Sequence, residues 1–387
     1  MNDKITFPKL HWTTWLLIVF LFVYIVFGIS AEVHFFDSHP LPESLLGDYK
    51  IYKTALKEAL AGESPYQRGF RYPPPALLII NFFYAVPEPY LQISFYTAVN
   101  IFLLLLTAYG VAWYYKIDIS SMWYWFPLAL FFGPTLEQMH MGQINVITMF
   151  GIFLMFFAAS SYPILAGLGL SVAVITKVTP AVFFLYLLVD KKYRAIGYTI
   201  LFLIIFSVFS WLRYGFEPFP AYLGTFADIL DNFPTSANAQ SLVSKLVRND
   251  LLPDYLEIDP APVQRGLSIY FGGVFLLSAG AAWFAKKKEP LFIILCIGSM
   301  LAPNLIWYHH YVFYLLPLFV WMAWSGMNKY VVAWSLFGLF IAQVDRWALT
   351  TGLLIHLFGH LSIIYLLVQQ WTGYFRERPP AQAKPAA

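Results

Sequence analysis

The chain has 387 residues, of which 59% are apolar, 12% charged and 20% aromatic. A soluble domain carries about 25% charged residues, so the composition excludes an ordinary water-soluble enzyme and predicts an all-α polytopic membrane protein. The net charge of +3 is small and dispersed, which gives no basis for a nucleic-acid partner, and the single cysteine, Cys296, excludes an internal disulfide.

In chain order, Trp15 to Ile29 reads as a retained first span, with no small-residue cleavage signature behind it. Lys4 and Lys9 before it place the N-terminus in the cytoplasm. The first extracytoplasmic loop, 31–89, contains a helical pattern from Asp48 to Ala61. There Tyr52, Ala55, Leu56, Ala59 and Leu60 share one face, and Lys50, Lys53, Lys57 and Glu58 avoid it. Asp48 is placed to cap this interfacial helix and Gly62 to end it. The apolar run 74–86 spans roughly 13 residues, about 20 Å as a helix, which is too short to cross a bilayer and predicts a second interfacial helix.

Further spans are expected at 91–115, 122–134, 144–159, 163–177, 180–189, 195–214, 266–285, 290–303, 310–325, 328–345 and 350–370, for a total of about twelve. The 163–189 region also reads as one long span. The twelve-span count puts Lys116, Lys191, Lys192, Arg194, Lys286 to Lys288, Lys329 and the tail on the cytoplasmic side. Residues 1–375 then form a single transmembrane domain, with a long extracytoplasmic loop at 216–265 and a disordered cytoplasmic tail at 376–387.

With this topology the polar motifs converge on the extracytoplasmic face. Asp48 reads either as a helix cap or as a general base. Arg68, Arg71 and Tyr72 suit interfacial anchoring or an anionic head group. Gln143 and Asn145, in Gly142-Gln-Ile-Asn145, suit helix-to-helix hydrogen bonding or sugar hydroxyls. Lys177 lies between apolar runs, as a snorkelling side chain or as a phosphate ligand at a broken helix. Asn238, Gln240 and Ser241 begin a helical pattern that suits a donor or acceptor groove. His309 and His310 form an imidazole pair at a bilayer edge, without the accompanying acids that a metal site needs. His356 and His360 have a possible ligand spacing but read as packing groups.

Several motifs occur in a recognisable order. They are Gly62-x-Ser-Pro-Tyr66, Tyr72-Pro-Pro74, Gly142-Gln-x-Asn145, Lys177-x-Thr-Pro180, Asn238-x-Gln-Ser-Leu242 and Pro303-x-x-x-Trp-x-His-His-Tyr311, all preceded by Asp48. In this the chain resembles glycosyltransferase family 87, the polyprenol-phosphate-mannose-dependent mannosyltransferases of GT-C architecture. The resemblance implies a GT-C fold with two interfacial helices in the first loop and an active site facing the periplasm from the inner membrane. It also implies Asp48 as catalytic base and carries the Trp-x-His-His segment onto Trp307 to His310.

The expected reaction moves a hexose, mannose first, from a polyprenyl-phosphate donor to an acceptor hydroxyl with inversion. The acceptor is open among glycolipid, glycan and protein. No cofactor or metal is expected, because no acidic pair accompanies the site. Lys177, with Arg68 or Arg71, would hold the departing phosphate. The rival readings are a polyprenyl-phosphate-arabinose donor and a flippase of lipid-linked sugars, which would need polar residues through both halves of the bundle.

Overall fold

The computed structural model describes residues 16–25, 47–86, 89–231, 288–301, 306–344 and 352–372, with scattered positions between 262 and 283. Asn238, Gln240, Ser241, most of the 216–265 loop and the tail lie outside the described residues. The described elements are all helical. In order they are α1 (Leu16–Ile25), α2 (Gly47–Leu60), α3 (Ala76–Tyr84), α4 (Pro89–Tyr114), α5 (Ile119–Met122), α6 (Trp125–Leu130), α7 (Gly133–Met141) and α8 (Asn145–Ala158). There follow α9 (Pro163–Thr176), a 3₁₀ turn at Thr179–Val182, α10 (Phe183–Val189), α11 (Tyr193–Tyr214) and α12 (Pro218–Asp231). The last part comprises α13 (Lys288–Leu301), a 3₁₀ segment at Tyr308–Tyr314, α14 (Leu315–Trp324), α15 (Lys329–Val344) and α16 (Gly352–Thr372).

Two described helices are long and apolar enough to cross a bilayer, Leu91–Tyr114 and Tyr193–Tyr214. The pair α7 and α8 passes the same test together but bends by 119°. Much of α11 faces outward, with Ile200, Leu201, Ile204, Phe209 and Leu212 exposed, as lipid contact requires. The remaining apolar helices are shorter, in part because breaks divide the apolar runs, at Lys177 as the two-span reading of 163–189 expects. The 122–134 run divides into α5, α6 and the start of α7, with Pro127 and Pro134 along it. The 163–189 region divides at Lys177, whose backbone is extended at φ −164° and ψ 132°. The 310–325 run opens as the 3₁₀ segment and becomes α-helical only at Leu315.

The first loop has its own core. Tyr49, Tyr52, Ala55, Leu56 and Ala59 of α2 are buried with Phe70, Leu77, Ile80 and Phe83, and this cluster sits on Tyr96 of α4, Ile144 and Tyr214. The Tyr214 hydroxyl donates to the Leu77 carbonyl at 3.2 Å, and the Tyr84 hydroxyl donates to the Tyr49 carbonyl at 2.7 Å, tying the loop to α11 and closing α3 on α2. Gly62, at φ +78°, follows the helix end as expected. Three details of α2 differ from the sequence reading. Leu60 is exposed. Glu58 is buried, with its Oε1 3.2 Å from Arg68 Nε. Asp48 lies inside the first turn rather than at the cap, and its carboxylate is held by a distant side chain instead of a backbone amide.

The two long helices separate the two ends of the molecule. Tyr96 near the start of α4 contacts Gln143, whereas Tyr114 at its other end accepts from Lys288 at 2.9 Å. Eighteen residues of helix place these ends about 27 Å apart. Lys191 and Lys192 likewise precede α11 and Arg194 lies in its first turn, and Tyr214 at its far end meets the first loop. The basic groups and the polar motifs therefore occupy opposite ends. Between them α8 and α9 touch at Gly151 and Gly169, where a Cβ on either residue would come within 2.6 Å of the other's carbonyl oxygen. Only glycine permits this approach, which is how membrane helices gain packing without a hydrophobic driving force.

Candidate active site

The site is built from helix breaks. Gly142, at φ 70°, ends α7 in the left-handed conformation, and its N–H bonds the Met139 carbonyl at 3.2 Å. The turn this makes aims the next side chain, Gln143, back toward α2. Its amide Nε2 donates to the Asp48 carboxylate. Its Oε1 accepts from the hydroxyls of Tyr52 and Tyr72, each at 2.9 Å, and those two hydroxyls lie 2.8 Å apart. The Gln143 backbone carbonyl accepts from the Tyr96 hydroxyl, and its N–H donates to the Gln138 carbonyl at 3.0 Å.

Asn145 opens α8, and its Oδ1 accepts from the Lys177 ammonium at 3.0 Å. Lys177 is at the break after α9, and Thr176 beside it bonds Thr148 of α8 at 2.8 Å, closing the two breaks on each other. The Lys177 ammonium also sits 5.4 Å over the Phe313 ring. A cavity of about 40 Å³ lies beside it, lined by Lys177, Thr179, Ser299, His310 and Phe313 among others.

The 3₁₀ segment supplies the histidines. Both are buried, with ring centroids 4.7 Å apart and nearly perpendicular. Only His310 lines the cavity beside Lys177. Its Nδ1 accepts the Trp307 backbone N–H at 3.2 Å, so the neutral ring carries its proton on Nε2.

The Asp48 carboxyl is pushed up from 3.8 to about 6. Burial is the main cause, partly offset by the hydrogen bond from Gln143 and by the charge of Lys177. Asp48 is therefore a stronger base than a solvated carboxylate and still largely ionised at neutral pH.

The structure thus brings together Asp48, Tyr72, Gln143, Asn145, Lys177 and His310. Arg68 points elsewhere: its Nε lies 3.2 Å from Glu58, with its side chain 73% exposed. Arg71 is exposed next to Tyr72, and Trp307 precedes the 3₁₀ segment. The sequence reading passed over Tyr52 and Tyr96, whose spacing marks them as core residues. The available signal was chemical, since a buried tyrosine hydroxyl needs a partner.

A family model, glycosyltransferase family 87, matches residues 70–307. The chain belongs to glycosyltransferase family 87. No curated protein matches it. The family 87 match takes in Tyr72, Gln143, Asn145 and Lys177, whereas Asp48, His309 and His310 fall outside it and rest on geometry alone. Membership, with the long apolar helices, makes this a membrane glycosyltransferase.

Proposed function

We propose that the chain transfers a hexose, mannose first, from a polyprenyl-phosphate donor to an acceptor hydroxyl, with inversion. The observation that carries this reading is that a carboxylate in the first turn of α2, Asp48, and a buried ammonium at the break after α9, Lys177, are held by two amides of the α7–α8 break. Lys177 feels the charge of Asp48 and yet bonds a different amide, so each ion can face its own part of a substrate.

The acceptor hydroxyl gives its proton to Asp48 as its oxygen attacks the anomeric carbon. The bond from that carbon to the phosphate oxygen breaks on the opposite face, and the electron pair leaves with polyprenyl phosphate. A phosphate needs no general acid to depart, so one carboxylate suffices, in contrast to the two of a glycoside hydrolase. Lys177 would stabilise the growing phosphate charge, and the Nε2–H of His310 is a further donor beside the same cavity. A single displacement gives inversion. The acceptor class among glycolipid, glycan and protein stays open.

In this reading the site end of the bundle faces the periplasm and the Lys192 and Lys288 end faces the cytoplasm of an inner-membrane protein, following the positive-inside bias. The twelve-span GT-C layout belongs to the same proposal. So does independence of divalent metal, for which the check is activity that survives EDTA.

The test is incubation of the purified protein with polyprenyl-phosphate mannose and a panel of acceptor lipids, with products read by mass spectrometry. Mannosylated product supports the reading. Product with polyprenyl-phosphate arabinose alone would replace the hexose, and no product with any lipid-linked sugar would overturn the reading.

A further inference from the structure

Gln143 is the most heavily bonded polar side chain at the site, and its bonds are internal. Both lone pairs of Oε1 are occupied by tyrosine hydroxyls, one from α2 and one from the segment before α3. Its backbone carbonyl and N–H are also taken, by Tyr96 and by Gln138. A residue whose carbonyl is filled on both sides is poorly placed to read sugar hydroxyls with it.

The geometry makes the amide directional. Tyr52 and Tyr72 donate to its oxygen end, and the NH₂ faces the Asp48 carboxylate, which can only accept. The reversed amide would face Asp48 with oxygen, which repels a carboxylate and suits only a protonated acid. The tyrosine hydroxyls thus select the amide orientation that matches an ionised Asp48. The three oxygens Tyr52 Oη, Tyr72 Oη and Gln143 Oε1 lie within 2.8 to 2.9 Å of one another, and the two hydroxyls carry only two protons for three contacts. With both protons given to Gln143 Oε1, the two hydroxyls act on the amide together.

We propose that Gln143 is a positioning residue for Asp48, locked by Tyr52 and Tyr72 in the orientation that keeps the carboxylate ionised and aimed. This rests on the reading of Asp48 as the base. The ionisable groups acting on Asp48 are Lys177 from the break after α9, Tyr52 on its own helix, Tyr72 before α3 and Tyr96 on α4. Tyr52 and Tyr72 do not ionise near neutral pH, because burial raises both. Of these groups only Lys177 brings a charge that offsets the burial of Asp48, and Gln143 adds its hydrogen bond to that charge.

The experiment measures kcat and KM for polyprenyl-phosphate mannose from pH 4.5 to 8.5 in the full-length protein. The variants are Gln143→Leu, the conservative Gln143→Glu, and the double variant Tyr52→Phe/Tyr72→Phe, with Asp48→Asn as reference. The proposal expects kcat to fall about tenfold or more in Gln143→Leu, with donor KM within about threefold. It expects the acid limb of the kcat profile to move to higher pH, because the hydrogen bond that favours the carboxylate is gone. Gln143→Glu should move the limb further, since a second carboxylate repels the first. The double tyrosine variant, which leaves Gln143 in place, should shift the limb in the same direction by a smaller amount. A limb that stays in place in all three variants, with Asp48→Asn inactive, overturns the positioning role and leaves the base intact. An active Asp48→Asn overturns the base reading, and this proposal with it. Loss of folding in Gln143→Leu leaves the tyrosine variant to decide.

Discussion

Gln143 and Asn145, two residues apart at one helix break, hold the two charged groups of the site: Gln143 donates to Asp48 and Asn145 accepts from Lys177. One tetrapeptide, Gly142 to Asn145, therefore sets the separation between the base and the cation. Gly142 supplies the turn that lets two neighbouring amides face different partners. The family 87 match covers this tetrapeptide and Lys177 together.

Asn145→Leu removes the acceptor that holds the Lys177 ammonium. A hydrogen bond to a charged group contributes about 1.5 to 3 kcal/mol, roughly a 10- to 100-fold change in an equilibrium constant. Donor affinity should weaken within that range, and Asn145→Gln, which keeps a neutral amide oxygen, should lose less. Titration with polyprenyl phosphate checks both. Unchanged affinity in a folded Asn145→Leu would show that Lys177 is held without it.

Asp48 should cost stability at neutral pH. Its carboxyl ionises near 3.8 when solvated and near 6 in the fold, so between those values the folded state binds more protons than the unfolded one. The stability contributed by the neutral acid is full below about pH 4 and lost as pH rises through about 6. At neutral pH the penalty is on the order of 1 to 3 kcal/mol. Asp48→Asn should raise the apparent Tm in detergent at pH 7.5 and leave it nearly unchanged at pH 4. A lower Tm at pH 7.5 would mean that the ionised carboxylate stabilises the fold.

The two histidines should separate. His310 lines the cavity beside Lys177 and presents Nε2–H, whereas His309 turns its ring perpendicular to it. His310→Ala should lower kcat about tenfold or more beyond the effect of His309→Ala. Steady-state kinetics on the two variants decides the order, and a more severe loss in His309→Ala contradicts it.

Gly169→Ala should destabilise the bundle by about 1 to 3 kcal/mol, because its Cβ would meet the Gly151 carbonyl oxygen at 2.6 Å and the Leu154 Cβ at 2.7 Å. Gly197→Ala, on the exposed side of α11 with nothing within 4 Å, should be neutral or stabilising by up to about 1 kcal/mol. Thermal unfolding of the pair checks the contrast, and equal effects would contradict the α8–α9 contact.

The sequence was informative where local chemistry decides structure. The apolar face of α2, the stop at Gly62 and the sub-spanning length of α3 follow from spacing and from single residues, and each is present. Polar residues between apolar runs marked Gln143, Asn145, Lys177 and the His309/His310 pair, without separating the two histidines, because ionisable and amide groups at membrane depth need a reason. What stayed hidden was pairing. Nothing near Arg68 in the sequence says that Glu58 claims it, and nothing near Gln143 says that it meets Asp48 rather than a sugar. Tyr52 and Tyr96 were hidden for a different reason. Their rings satisfy the apolar pattern, and only the fold shows where their hydroxyls go. The helix breaks at Gly142 and Lys177 fall between spans that the sequence already separates, 122–134 from 144–159 and 163–177 from 180–189.

The most direct measurement is single-turnover transfer from polyprenyl-phosphate mannose by Asp48→Asn, beside donor binding by the same preparation. Asparagine keeps the shape of the side chain and an oxygen that can accept from Gln143, and it removes only the base. The account predicts a loss of about 10²-fold or more in the transfer rate, with donor affinity close to that of the unaltered protein. Transfer at a near-normal rate by a folded, donor-binding Asp48→Asn would contradict it and make His310 the leading candidate for the base.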